Sequence, residues 1–109
     1  MAESHAVTSK DGTWVVRCLE GEYALTNRPG CYTIYLHTSE QKITFIHALR
    51  AALDVMKKLG EEIACVYTGW VALYLTQNDI KFLLETIKLS EVEEQVANTE
   101  IPKNLWSVH

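Results

Sequence analysis

Apolar positions between residues 38 and 60 recur at three- and four-residue steps: Ile43, Phe45, Ile46, Leu49, Ala52, Leu53, Met56 and Leu59. That spacing predicts one long amphipathic helix whose broad apolar stripe must be covered. Both ends are marked. Thr38-Ser39-Glu40-Gln41 has the form of a capping box, with Thr38 as N-cap and Gln41 at the third helical position. Lys57 and Lys58 fall in the last turn, where cations suit the negative end of the helix dipole, and Gly60 is placed for a left-handed stop.

Upstream, the pattern changes to short runs rich in β-formers. Residues 13–19 (TWVVRCL), 22–26 and 31–37 (CYTIYLH) read as three strands. Glu20-Gly21 can turn the chain between the first two, and Asn27-Arg-Pro-Gly30 carries the Pro-Gly signature of a type II turn. Short turns predict an antiparallel meander. Downstream of the helix, residues 62–75 are rich in Val, Tyr, Trp and Thr. They form either a hairpin of strands 63–67 and 70–75 about Thr68-Gly69, or one long bulged strand. Thr76-Gln-Asn-Asp79 caps a second helix running to about residue 89, with Ile80, Leu83, Leu84 and Ile87 on one face. Ser90-Glu-Val-Glu93 starts a short third helix.

The order βββ-α-ββ-α predicts an α+β domain over residues 13–89: a mostly antiparallel sheet of about five strands, with helices packed on one face. Residues 1–12 are expected to be a flexible start. Residues 90–109 are expected to hold an acidic short helix and a C-terminal tail that Pro102 keeps extended.

A one-sided helix layer lets the strand residues be sorted by alternation. Tyr32, Ile34 and Leu36 are the apolar set of the third strand, leaving Thr33, Tyr35 and His37 opposite. Val71, Leu73 and Leu75 are the inward set of the last strand, leaving Trp70, Ala72 and Tyr74. In the first strand Trp14, Val16 and Cys18 turn inward, with Val15, Arg17 and Leu19 outward. The face away from the helices is therefore expected to carry Arg17, Tyr35, His37, Trp70 and Tyr74. Trp, Tyr and Arg dominate binding hot spots, so these five, with Trp106 in the tail, are the candidate partner-binding residues. Two readings stay open. A tail containing Ile101, Leu105 and Trp106 folds over that face and makes it core, or the face meets a partner or a second copy. A one-residue slip of register would reverse every assignment.

Composition narrows the function classes. The chain has 109 residues, enough for one core, and is 48% hydrophobic and 22% charged, as in ordinary globular proteins. No apolar run approaches the roughly 18 residues that span a bilayer, and Met1-Ala-Glu-Ser-His5 lacks the form of a signal peptide. Three widely spaced cysteines (Cys18, Cys31, Cys65) argue for reduced thiols and a cytoplasmic location rather than a disulfide framework. The net charge of −4 comes from Glu91, Glu93, Glu94 and Glu100, in a segment with no Lys or Arg; without them 10 acidic residues balance 10 basic ones. A neutral body does not make a phosphate-binding surface, and the acidic run reads as a solvated helix face. Arg17 stands nearly alone among the sheet aromatics, which argues against single-stranded nucleic acid as the partner.

Catalytic chemistry is sparse. No CxxC, HxxxH or HExxH occurs, and the glycines are isolated, so neither a metal, a cofactor nor a phosphate cradle is expected. Cys18 or Cys31 could meet His37 across neighbouring strands as a thiol and its base. The reading that remains is a small non-enzymatic protein-binding module: an inhibitor, immunity-type protein or regulatory adaptor whose partner is another protein. The alternative is a homodimer built on two such sheet faces, binding a small ligand or holding a minor enzymatic role in its cleft.

Overall fold

The computed structural model describes residues 5–98. Its elements run β1 (His5–Thr8), β2 (Trp14–Leu19), β3 (Glu22–Asn27), β4 (Tyr32–Leu36), α1 (Ser39–Leu59), β5 (Ile63–Tyr67), β6 (Ala72–Thr76), α2 (Gln77–Thr86) and α3 (Glu91–Asn98). The fold is α+β, with antiparallel pairing throughout. The strands form two sheets rather than one, a meander β1-β2-β3-β4 and a separate hairpin β5-β6.

The first departure from expectation is β1, which lies in the stretch expected to be loose. It pairs with β2 with His5 opposite Cys18 and Thr8 opposite Val15. A side-chain-bonded turn brings it there. The Asp11 carboxylate accepts from the Thr13 backbone N–H (3.0 Å) and from the Ser9 hydroxyl (2.9 Å), which holds its pKa below the ordinary range. Ser9 in turn donates its backbone N–H to the Trp14 carbonyl at 2.9 Å. The second departure is that the hairpin stands apart from the meander. Its inner side chains Val66, Leu73 and Leu75 are buried by helices, so it hides its apolar face without a neighbouring strand.

The turns explain the meander's register. Glu20 (φ 52°) and Gly21 (φ 80°) both take left-handed backbone, as a two-residue hairpin turn of the primed type requires. Between β3 and β4 the left-handed residue is Cys31 (φ 57°), not Gly30 as a type II turn would have it. Gly30 is instead used for close approach: a Cβ there would lie 2.5 Å from the Tyr32 ring, which packs edge-on to Trp14 at 6.1 Å.

Helix α1 begins and ends as its sequence predicts. Thr38 Oγ1 accepts from the Gln41 N–H at 3.1 Å, and Gln41 Oε1 accepts from the Thr38 N–H at 3.2 Å. Gly60 (φ 69°) closes it with its N–H on the Met56 carbonyl. Phe45, Ile46, Leu49 and Met56 are buried, whereas Leu59, counted in the apolar stripe, projects into solvent. Helix α2 repeats the capping box with Thr76 and Asp79 but stops three residues short of the expected end. There the Lys88 N–H donates to the Tyr23 hydroxyl at 2.9 Å, capturing the chain on β3. One core joins the two sheets through Trp14, Leu25, Leu36, Phe45, Leu49, Leu75, Ile80 and Leu83, all fully buried.

A left-handed conformation is unfavourable for a residue with a Cβ, so Cys31→Gly should raise stability by about 1 kcal/mol. Urea unfolding of the two proteins checks this; a lower midpoint would show that the Cys31 side chain contributes more than its backbone costs.

Candidate functional site

The helix-free face of the meander is built by strand alternation. The register places Arg17 opposite Ala24 and Ala24 opposite Tyr35, so Arg17 and Tyr35 lie in one cross-strand row with a small residue between them. Tyr35 is 54% exposed. Its ring stacks on His37 at 5.5 Å with an interplanar angle of 4°, and His37 Nδ1 lies 2.6 Å from the Glu22 carboxylate. Tyr35 is thus held by an ordered neighbour while its far side stays open to solvent. The hydroxyls of Thr26 and Thr33 meet at 3.0 Å on the adjoining row.

Trp70 and Tyr74 are not on that face. They belong to the β5-β6 hairpin, so the five aromatic and charged residues expected together are divided between two sheets. Trp106 lies outside the described residues. The hairpin confirms the two-strand reading of residues 62–75: Thr68 accepts and donates across the turn to Val71, with Gly69 at φ 108°. Its outer face pairs Cys65 with Tyr74 and Tyr67 with Ala72. Ile63, Tyr67 and Tyr74 are 56%, 67% and 77% exposed, and neither strand carries a charged residue. Trp70, at the turn, leans on Phe45 with ring centroids 6.5 Å apart. Tyr67 and Ile63 were within a predicted strand, and applying the same alternation there would have singled them out.

Beside the hairpin runs a groove of about 390 Å³, between the α1 residues Ala48, Ala51, Ala52 and Val55 and the β5 residues Cys65 and Tyr67. A second depression of about 410 Å³ lies between the β1-β2 turn and the start of α2. Of its three carboxylates, Asp11, Asp79 and Glu85, the first two are already committed to the turn and to the helix cap.

The acidic segment behaves differently from a solvated helix face. Glu93 is buried in α3, its two oxygens 3.0 and 2.8 Å from Lys42 Nζ, which is itself buried in α1. Glu94 meets Arg50 at 3.0 Å closer to solvent. Glu93 also accepts the Ser90 N–H at 2.8 Å. Burial raises its pKa, but hydrogen bonds from Lys42, Ser39 and Ser90, with the Lys42 charge, outweigh that and bring it down to about 2. Helix α3 therefore turns its carboxylate inward, and Val92 and Val96 face solvent. The clue in the sequence was Lys42, which sits at helical spacing within the apolar stripe.

The thiol and base pair considered above does not assemble. Strand β3 separates β2 from β4, Cys18 lies on the inner side against the core, and His37 is engaged with Glu22 and Tyr35. Cys31 Sγ contacts the Arg28 carbonyl at 3.5 Å instead. Among the described residues no three His, Cys, Asp or Glu side chains converge as metal ligands. Comparison of the chain with known families, with curated proteins and with solved structures finds no match.

The folded-state pKa of Glu93 lies below its ordinary value of 4.5. Its ionised form therefore contributes stability that is complete above about pH 4.5 and is lost as the pH falls toward 2. Glu93→Gln should flatten that acid limb in denaturant titrations. Glu93→Ala, which strands a buried Lys42, should remove about 3 kcal/mol at neutral pH.

Proposed function

We propose that this chain is a small non-enzymatic protein-binding module of the inhibitor, immunity-type or regulatory-adaptor kind. Another protein is its ligand, and aromatic side chains on helix-free strands make the contact. The observation that carries this reading is the outer face of the β5-β6 hairpin, where Tyr67, Tyr74 and Ile63 stand in solvent on strands without a charge. Tyrosine offers a large, rigid, amphipathic surface whose hydroxyl tolerates water until a partner displaces it. The row of Arg17 and Tyr35, with His37 stacked on Tyr35, offers a second and more polar patch.

No helix among the described residues is long and apolar enough to cross a membrane. Cys18, Cys31 and Cys65 are all free, in keeping with a reducing compartment such as the cytoplasm.

Affinity capture from the native host with the wild type, Tyr74→Ala and Tyr35→Ala identifies which patch is used. Tyr74→Ala should weaken capture of a stoichiometric partner by about tenfold or more, with little change in melting temperature because the ring is exposed. Equal capture by the wild type and both variants would overturn the reading.

A further inference from the structure

We infer that the unpaired edge of β5 is the contact between two copies of this chain, joined antiparallel about a twofold axis at Cys65. Among the described residues β5 pairs only with β6. The groove of about 390 Å³ is walled by β5 and α1 and touches no residue of β6, so it runs along the open edge of β5. Its α1 wall is made of Ala48, Ala51, Ala52, Val55 and Met56, with Glu61 at its end, and the three alanines leave room for a strand to lie against the helix. Strand β5 itself carries no charge and no proline, two of the devices that keep edges apart.

The occupant follows from the sequence of the edge itself. Centring an antiparallel pair on Cys65 sets Ile63 of one copy against Tyr67 of the other and Ala64 against Val66. Outward, two aliphatic-on-aromatic pairs, a favourable cross-strand combination, flank Cys65 on Cys65, and each inward contact is small on β-branched. The charges also fit. Glu61 and Glu62, just before β5, fall opposite Gly69 and Thr68, so no carboxylate meets another. Self-complementarity of this kind is what a twofold contact demands. The product is a continuous four-stranded sheet, β6-β5-β5-β6, that sets the Tyr67 and Tyr74 side chains of both copies on one outer face. The dimer does not rest on the partner reading: the backbone edge of β5 carries the pairing, Ile63 and Tyr67 border both contacts, and Tyr74 on β6 serves the partner face alone.

Light scattering over a concentration series tests it with the full chain. The wild type should approach twice 12.4 kDa as concentration rises. Cys65→Glu and Cys65→Lys each place like charges opposite one another and should raise the dissociation constant by about tenfold or more. An equimolar mixture of the two should recover the dimer, a rescue that a folding defect would not show. In a Cys18→Ser/Cys31→Ser background a short bismaleimide should link two copies through Cys65. Tyr74→Ala should dimerise as the wild type does, which separates this contact from partner binding. A wild type that stays at 12.4 kDa overturns the inference, as does a dimer unmoved by either charge at residue 65.

Discussion

Covering α1 is the constraint on which the rest of the molecule depends. A 21-residue helix with Phe45, Ile46, Leu49 and Met56 almost wholly removed from water presents more apolar surface than one small sheet can hide. At about 25 cal/mol per Å² of apolar area, leaving such a stripe exposed would cost several kcal/mol, a large part of the stability of a domain this size. The chain answers by laying different elements on different flanks of α1: the meander, the β5-β6 hairpin, and the two short helices. The division into two sheets follows from this arrangement.

The last of those elements is oriented by charge rather than by hydrophobicity. Lys42 lies within the buried stripe, and a buried ammonium must be paired. Glu93 supplies the pairing, and because it must point inward, Val92 and Val96 are turned outward. Ordinary amphipathic logic would have placed α3 the other way round. An ion pair of this kind adds little net stability compared with an apolar pair, but it specifies which face of α3 docks.

The same principle of two-sided elements produces the exposed aromatics. Each strand alternates, so Leu73 and Leu75 enter the core only if Tyr74 leaves it. With the helices on the inner side of the strands, the outer aromatics stay largely open to solvent. Tyr35 is steadied by stacking on His37, and Trp70 by Phe45, whereas Tyr67 and Tyr74 are held mainly by the hairpin they stand on.

Much of this was legible in local pattern. The capping boxes at Thr38 and Thr76, the left-handed Gly60, the turn at Thr68-Gly69 and the inward or outward choice along β2, β4 and β6 are settled by neighbours a few residues away, where sequence reports directly. Strand β1 escaped notice because its four residues are all exposed and leave no hydrophobic signature; their place depends on the open edge of β2. The burial of Glu93 depends on a lysine 51 residues away. Whether Arg17 and Tyr35 share a face with Trp70 and Tyr74 depends on strand pairing across the whole chain. The amino-acid sequence alone determined most of the elements, both ends of α1, the start of α2 and the faces of β2, β4 and β6, because those follow from bonds and alternation within one segment. Only the tertiary structure decided the split into two sheets and the inversion of α3, because each is set by which distant segment offers the cover or the countercharge.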